Sequence, residues 1–175
     1  MTIRPAAAAD LPAIAAVYDA ILDREAERGV SYTNWKKGSY PTADTARQIL
    51  EAGTLYVGAD EDGTVWGSMN LNGCQLPEYD AIPWSIPAAK EQVAVIHTLT
   101  IHPRRSGRGL ASQMIHFAED TARRQGKTAL RLDTWVGNLP ANHLYPSLGY
   151  RLAGSAEFFF MGYTRSILNC YEKAL

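Results

Sequence analysis

The spacing of apolar side chains predicts helices and strands that follow one another along the chain. The first strand is expected over Thr2–Arg4, and Asp10 is the expected N-cap of the first helix, with Pro12 in its first turn. Gly29 stands where this helix should end. Its apolar side recurs at helical spacing and consists of Leu11, Ile14, Ala15, Tyr18, Ile21 and Leu22.

A second helix is predicted over residues 42–52, and Gly53 is suited to end it. Thr42 and Asp44 are both suited to cap its start, so the sequence leaves the cap open. The positions expected to face inward are Ala46, Ile49 and Leu50.

Two antiparallel strands are predicted over residues 54–59 and 64–72, because an Asp-Gly pair between them is a strong signal for a tight turn. Residues 73–92 then form a long connection. Prolines exclude a regular strand or helix throughout this connection, and they are Pro77, Pro83 and Pro87. Long irregular connections in compact domains are usually functional or mobile.

The clearest pattern lies in residues 93–125. Apolar and β-branched residues fill most of Val93–Ile101, and Pro103 ends this predicted strand. From Leu110 onward the apolar positions take helical spacing again, and Gly126 stands where that helix should end.

Further elements complete a mixed α/β fold. Residues 128–136 predict a strand, and the helix before it makes this strand parallel to 93–101. A short helix over 139–148 follows, and residues 150–160 and about 166–173 can pair as a final antiparallel hairpin. The expected result is a mixed sheet with helices on both faces.

Composition narrows the class of protein. A chain of 175 residues with 46% hydrophobic and 20% charged residues is expected to form one soluble domain over 1–175. A net charge of −1 argues against nucleic acid or an anionic membrane as partner. Cys74 and Cys170 suggest neither a disulfide framework nor a zinc site. We expect no metal, no membrane-spanning segment and a cytoplasmic location.

The loop between the strand and the helix of 93–125 is suited to an anion. Gly107 and Gly109 allow the backbone to approach a bulky ligand, and a helix start offers unpaired N–H groups and partial positive charge. Arg104, Arg105 and Arg108 add full charges that suit phosphate. The loop is neither a P-loop nor a dinucleotide fingerprint. Taken alone, it is equally well an ordinary basic turn.

Two segments resemble the GNAT superfamily of N-acetyltransferases. The first is Leu99-Thr100-Ile101, followed after a proline by RRSGRGLA at residues 104–111. The second, LRLDTWVGNLPANHLYPSLGY, covers residues 130–150. Both segments are similar to the two signature blocks of that superfamily, in the same order and at a similar spacing.

The resemblance implies a GNAT-like fold and acetyl-CoA as co-substrate. The fold has a central mixed sheet of six to seven strands, in which the two parallel strands splay to admit acetyl-CoA. The pantetheine arm would lie along Leu99, Thr100 and Ile101. The pyrophosphate would be held by the loop and the first turn of the helix, that is by Arg104, Arg105, Ser106, Gly107, Arg108, Gly109, Leu110 and Ala111.

The second segment implies two further roles. Asn138 matches the asparagine that contacts the cofactor, although an N-cap for the next helix is an equally good interpretation of its side chain. Tyr145 matches the tyrosine that contacts the cofactor and protonates the departing thiolate. Pro146 departs from the common pattern and is expected to kink the helix at Tyr145. A freed backbone N–H in the splay would stabilise the oxyanion.

The base that deprotonates the amine remains open among three residues. Asp133 lies where some members of the superfamily carry an acidic residue for this role, and a salt bridge to an arginine is its alternative. His97 has a suitable pKa range, but a histidine satisfied inside the sheet is the plainer interpretation. Glu91 acting through water is a third candidate.

Substrate contacts are expected from two irregular loops. The first offers Tyr32, Trp35 and Tyr40, and the second offers Glu78, Tyr79, Asp80 and Trp84. Aromatic rings beside carboxylates suit a cationic amine, whether a small molecule or a peptide. The alternative is that these rings fasten the loops to the body of the protein.

The main hypothesis is an N-acetyltransferase that moves acetyl from acetyl-CoA to a primary amine within a ternary complex. The alternative is a non-catalytic sensor that binds acyl-CoA on the same fold. A nucleotide-binding module fits poorly, because no magnesium-binding Ser or Thr follows the glycines. The edge of the final hairpin is compatible with a homodimer.

Overall fold

The computed structural model describes residues 1–160 and 164–175. Its strands are β1 Thr2–Pro5, β2 Leu55–Ala59, β3 Val65–Asn72, β4 Val93–Ile101, β5 Ala129–Trp135, β6 Arg151–Phe160 and β7 Thr164–Ala174. Its α-helices are α1 Leu11–Arg28, α2 Ala43–Glu51, α3 Leu110–Arg124 and α4 Leu139–Ser147. Each predicted element is present, with its ends shifted by a few residues at most.

The strands form one seven-stranded sheet in the order β1-β2-β3-β4-β5-β7-β6. β4 pairs with β5 in parallel, whereas β1 with β2, β2 with β3, β5 with β7 and β6 with β7 pair antiparallel. The predicted mixed sheet is therefore confirmed, and it has the higher of the two expected strand numbers.

The parallel ladder uses the first part of each of its strands. It joins Val93–Ile96 to Ala129–Leu132, whereas β4 continues to Ile101. On the other side of β5, pairing with β7 extends along the whole strand, to Trp135 opposite Leu168. The splay of β4 and β5 toward acetyl-CoA stays a prediction.

The contacts divide the chain into two compact units. The N-terminal unit comprises residues 1–30, 35–71 and 97–118, and the C-terminal unit comprises 31–34, 72–96 and 119–175. A core of the N-terminal unit forms where α1 and α2 pack on β2, through Ile14, Tyr18, Ala46, Ile49, Leu55 and Val57. A core of the C-terminal unit consists of Tyr79, Ile82, Val93, Val95, Ala129, Phe158, Leu168 and Cys170.

Helix ends follow the predicted chemistry at most positions. Thr42 caps α2, since its hydroxyl accepts the N–H of Thr45 at 3.3 Å. Gly29 adopts the left-handed conformation, with φ of +62°, at the end of α1. The prediction for Asp10 is wrong, because its carboxylate does not cap α1. It accepts the N–H of Ala7 at 2.8 Å and two bonds from the Arg4 guanidinium, so it fastens the turn before the helix.

A buried carboxylate holds the long connection of residues 73–92. Glu172 on β7 is 0% exposed and accepts the backbone N–H of Ser85 at 2.7 Å and that of Ile86 at 3.3 Å. The hydroxyl of Ser85 and the guanidinium of Arg151 also donate to it, at 2.9 and 3.1 Å. Burial acts to raise the pKa of Glu172, but these hydrogen bonds outweigh burial and lower that pKa overall.

The lowered pKa makes the free energy of unfolding depend on pH. The ionised Glu172 stabilises the fold fully above the unfolded pKa of about 4.5, and this contribution is lost as the pH falls through the lower folded pKa. We expect Glu172→Gln to lower the free energy of unfolding by about 1–3 kcal/mol at pH 7 and by less at pH 3.

Denaturant titrations at both pH values measure this difference. The matched control is Glu157→Gln, which removes a carboxylate from an exposed pair with Arg165 on the same hairpin and should change the free energy of unfolding little. An equal loss for Glu172→Gln at pH 3 and pH 7 would contradict the assignment.

No helix within the described residues, 1–160 and 164–175, is long and apolar enough to cross a membrane.

Candidate active site

β4 departs from regular strand geometry at Thr98. This residue has φ of +49°, a conformation that is unusual for a β-branched residue. Its hydroxyl lies 2.5 Å from that of Tyr40, in the segment before α2. The distortion directly precedes Leu99–Ile101, the residues that the resemblance assigns to the pantetheine arm.

Leu99 and Ile101 are half-buried, whereas Thr100 is 2% exposed. The Thr100 hydroxyl lies 2.8 Å from that of Ser68 on β3. A Cβ added at Gly67 would lie 2.5 Å from the Thr100 carbonyl oxygen, so only glycine fits beside β4 there. The side chain of Thr100 is therefore a packing group, and a ligand would have to use the main chain of this strand.

A short 3-10 turn after β4 uses several N–H groups of the predicted pyrophosphate loop. The N–H of Arg104 donates to Nδ1 of His102 at 3.2 Å, and that of Arg105 donates to the His102 carbonyl at 2.8 Å. The N–H of Ser106 donates to the Pro103 carbonyl at 3.3 Å. These three N–H groups hold the turn together, and the contact of the loop with a ligand stays a prediction.

Donors suited to an anion lie further along, at the start of α3. The bond from the N–H of Gln113 to the carbonyl of Gly109, at 3.1 Å, marks the start of the helical ladder. The N–H groups of residues 110–112 precede it, at the positive end of the helix dipole. Gly107 and Gly109 have φ of +77° and +71°, and a Cβ on either would meet no described heavy atom within 4 Å. This open, glycine-lined helix start fits a pyrophosphate.

The loop's arginines differ in their surroundings. The guanidinium of Arg105 pairs with the carboxylate of Asp60. Arg104 and Arg108 are exposed, and Arg104 lines a polar cleft of about 600 Å³ together with His102 and side chains of α1. Arg105 therefore fixes the loop, and the charge available to a ligand comes chiefly from Arg104 and Arg108.

Asn138 caps α4, as one of the two interpretations predicted. Its Oδ1 accepts the N–H of Ala141 at 3.2 Å. Its contact with the cofactor stays a prediction, and the Nδ2 group of the same side chain is suited to it.

Asn142 is a structural residue that sequence reasoning missed. Its Nδ2 donates to the carbonyls of Trp135 and Asn138 at 2.9 and 2.8 Å, and its Oδ1 accepts Asn169 Nδ2 and the Tyr171 hydroxyl, each at 2.8 Å. This one amide joins α4 to the end of β5 and to β7. The sequence carries no signal for it, because three partners are main-chain carbonyls and the other two lie 27 and 29 positions away.

Tyr145 is buried inside the C-terminal unit. It is 7% exposed, and its ring lies 6.1 Å from that of Tyr150 and 5.4 Å from that of Tyr171. Burial, and then the charges of Asp133 and Tyr171, raise the pKa of Tyr145, so the hydroxyl keeps its proton at neutral pH. α4 continues through Pro146 to Ser147, and the kink expected at Tyr145 stays a prediction.

Asp133 has a neutral hydrogen-bond donor in the C-terminal unit. The hydroxyl of Tyr79 donates to its carboxylate at 2.7 Å, where the sequence suggested an arginine as the alternative. Burial and the charge of Asp133 raise the pKa of Tyr79 well above its usual value and that of Cys170 to about 12. Asp133 itself is half-buried, as is the rival candidate His97 in the N-terminal unit.

The aromatic residues proposed to meet the substrate have different surroundings. Tyr32 is half-buried, and Trp35 packs edge-on against Tyr40 at 5.8 Å. Tyr79 is 1% exposed, so burial of its ring corrects the expectation of direct substrate contact. Trp84 donates its indole N–H to the Tyr79 carbonyl at 2.9 Å, and the Arg131 guanidinium lies 4.2 Å from its ring. The second loop is thus fastened by its own aromatic residues.

No cluster of His, Cys, Asp and Glu suited to a metal ion occurs in the part of the chain that the structure describes.

The mixed sheet, with a glycine-rich loop between the parallel strand β4 and helix α3, is the arrangement that the resemblance implied. A model of the acetyltransferase (GNAT) family matches residues 18–150, which is more than half of the chain. The protein belongs to this family, and the predicted resemblance is confirmed.

Curated relatives carry acetyltransferase names. A streptothricin acetyltransferase from Escherichia coli is 31% identical over 103 residues, which cover 59% of this chain and 51% of that protein. Human N-acetyltransferase 8B is 26% identical over 114 residues, which cover 65% of this chain and 46% of that protein. The chain spans about half the length of the curated relatives that it matches.

Solved structures share the fold over nearly the whole chain. An acetyltransferase of the GNAT family from Streptococcus agalactiae has a TM-score of 0.80 at 21% identity and covers 99% of this chain and 95% of its own. The yncA protein of Salmonella typhimurium, solved with its cofactor acetyl-CoA, has a TM-score of 0.70 at 22% identity and covers 100% and 94%. At these identities the likeness supports the fold alone.

Proposed function

We propose that the protein is an acetyl-CoA-dependent N-acetyltransferase. The observation that carries this proposal is the open, glycine-lined start of α3, whose N–H groups and exposed arginines suit a pyrophosphate. Bound acetyl-CoA would supply the activated acetyl group as a thioester. The residues proposed to hold it are the main chain of Leu99–Ile101, the loop of residues 104–111, and Asn138.

Tyr145 is proposed to donate a proton to the departing thiolate. Its support is the burial of the ring and a raised pKa, since the hydroxyl then stays protonated across the neutral range. The protonated hydroxyl would donate a hydrogen bond to the sulfur as negative charge develops there, and this contact is the path for the proton. In the N-terminal unit, a main-chain N–H beside the distorted Thr98 is suited to stabilise the oxyanion.

Asp133 is the proposed base for the amine, and His97 is the alternative. The hydroxyl of Tyr79 donates to the carboxylate of Asp133 at 2.7 Å and thereby holds it in place. An ionised carboxylate can take the proton of an ammonium group directly or through water.

The proposed acceptor is a primary amine of a small molecule or a peptide. The relatives named streptothricin acetyltransferase, one of them 31% identical, support a small-molecule amine as the first class to test. The half-buried aromatic residues Tyr32, Trp35 and Trp84 are proposed as substrate contacts.

Release of free CoA from acetyl-CoA tests the proposal. The panel should hold streptothricin, diamines, amino acids and short peptides, each with and without the protein. We expect release that depends on one class of amine, because transfer needs an acceptor. Mass spectrometry of the product then locates the acetyl group on nitrogen. Tight binding of acetyl-CoA without release for any amine would support the sensor instead, and absence of binding would exclude both.

The same assay separates the two candidate bases. Asp133→Asn and His97→Gln are compared for turnover over pH 6–10, with acetyl-CoA binding as control. The true base is the residue whose replacement lowers turnover most at the low end, where the amine is protonated.

A further inference from the structure

Thr98 adopts a backbone conformation that its side chain disfavours. It is one of two residues other than glycine with positive φ among residues 1–160 and 164–175, at +49°. Positive φ is a genuine outlier for a β-branched residue and persists only where neighbouring groups hold it. At this point in β4 it turns the adjacent peptide groups out of the regular alternation of a strand.

The hydroxyl of Tyr40 is placed to hold this conformation. It lies 2.5 Å from Oγ1 of Thr98, a short hydrogen bond between residues 58 positions apart. Tyr40 is itself half-buried, and its ring packs against the edge of Trp35 at 5.8 Å. Thr42 caps α2 two residues later, so the segment that carries Tyr40 has a fixed end.

We infer that Tyr40 is a positioning residue for acetyl transfer: its hydroxyl holds Thr98 at positive φ and thereby orients the main chain of Leu99 toward the thioester. The inference rests on the proposed function, because it assigns a task to the Leu99 main chain. It adds a contact from outside both signature segments, since Tyr40 lies in the irregular loop before α2.

The competing interpretation is that Tyr40 contacts the acceptor or only packs. The two interpretations differ at Thr98. If the hydrogen bond serves to hold positive φ, glycine at position 98 should make it dispensable, because glycine adopts this conformation without steric cost. A tyrosine that binds the amine or fills space would still be needed.

The test is a double-mutant cycle with Tyr40→Phe and Thr98→Gly. We expect Tyr40→Phe to lower kcat by about tenfold or more, with the Kd for acetyl-CoA little changed. The reason is that the strained conformation of Thr98 loses the hydrogen bond that holds it, so the main chain of Leu99 is less well oriented. Thr98→Gly alone should stay within about threefold of the wild type. In the double variant, kcat should return to the value of Thr98→Gly.

Two further variants separate loss of the hydrogen bond from general effects of substitution. Thr98→Val removes the hydroxyl but keeps the branched Cβ, so it should match Tyr40→Phe, and combining the two should add no further loss. Tyr56→Phe is the matched control, a half-buried tyrosine of the same unit whose ring packs on Phe117, and it should leave kcat unchanged.

The outcomes separate this inference from the proposed function. A double variant as slow as Tyr40→Phe, or a KM for the amine that rises without rescue, would overturn the inference. Absence of amine-dependent CoA release by the wild type would show that the proposed function has failed. In that case the unfolding temperature is measured for the same four proteins of the cycle. Thr98→Gly should raise the unfolding temperature more in the Tyr40→Phe variant than in the wild type. Equal changes in the two backgrounds would show that the hydrogen bond does not hold Thr98.

Discussion

Replacing Gly109 by valine is expected to raise the Kd for acetyl-CoA about 100-fold or more. Gly109 has φ of +71°, which costs a residue with a side chain about 1–2 kcal/mol, and more when the Cβ is branched. The substituted residue would also project a side chain over the N–H groups at the start of α3, where the pyrophosphate is proposed to bind. Isothermal titration calorimetry with acetyl-CoA measures the effect.

Gly29→Val is the matched control for this loss of affinity. Gly29 ends α1 with φ of +62° and, like Gly109, has no described heavy atom within 4 Å of an added Cβ. Both variants should therefore lose similar free energy of unfolding, but only Gly109→Val should lose acetyl-CoA. If the two variants bound acetyl-CoA equally well, the loop would be an ordinary turn and the proposed function would lose its main support.

Tyr145→Phe is expected to lower kcat about 100- to 1,000-fold, with the Kd for acetyl-CoA nearly unchanged. The ring is buried among Tyr150 and Tyr171, and phenylalanine preserves that packing. The loss is therefore confined to the hydroxyl that is proposed to protonate the thiolate. Steady-state kinetics with the acceptor identified in the panel, together with calorimetry, measure both quantities.

Tyr150→Phe tests the same ring cluster without the proposed chemistry. Its hydroxyl donates to the buried carboxylate of Glu119 at 3.0 Å. We expect this variant to lose about 1–3 kcal/mol of stability, because Glu119 loses a partner, but to keep its kcat. A kcat that falls as far in Tyr150→Phe as in Tyr145→Phe would mean that the cluster acts through packing.

The sequence predicted the order and type of each α-helix and strand within residues 1–160 and 164–175, because most of them carry a clear period or an end signal, whereas the 3-10 turns were not predicted. Gly29 and Thr42 show this at helix ends. The glycine-rich loop of residues 104–111 was also predicted from the sequence, because its residues resemble a family signature. Asp10 shows the limit of local signals. Its carboxylate could cap α1 or bind groups before the helix, and in the structure it accepts hydrogen bonds from the guanidinium of Arg4 instead of capping α1.

The parts of the site that sequence reasoning missed depend on long-range contacts. Asn142 is one polar residue on a short helix, and nothing local marks it as the junction of α4 and β7. The partner of Asp133 is a tyrosine 54 positions earlier in the chain. The N–H groups of Arg104, Arg105 and Ser106 donate to His102 and Pro103 within the turn, so they are not available to a ligand in this structure. Residue spacing alone does not predict these hydrogen bonds.

The carboxylate of Glu172 has a consequence for laboratory evolution of this protein. It accepts two successive peptide N–H groups of the long connection, those of Ser85 and Ile86, and among the connection's side chains it also accepts the hydroxyl of Ser85. A library that keeps Ser85 and Glu172 while it randomises exposed neighbours such as Pro83 and Pro87 should retain a folded majority. With Glu172 and the buried Tyr79 and Ile82 retained, the exposed positions of the connection are thus free to vary toward new acceptors.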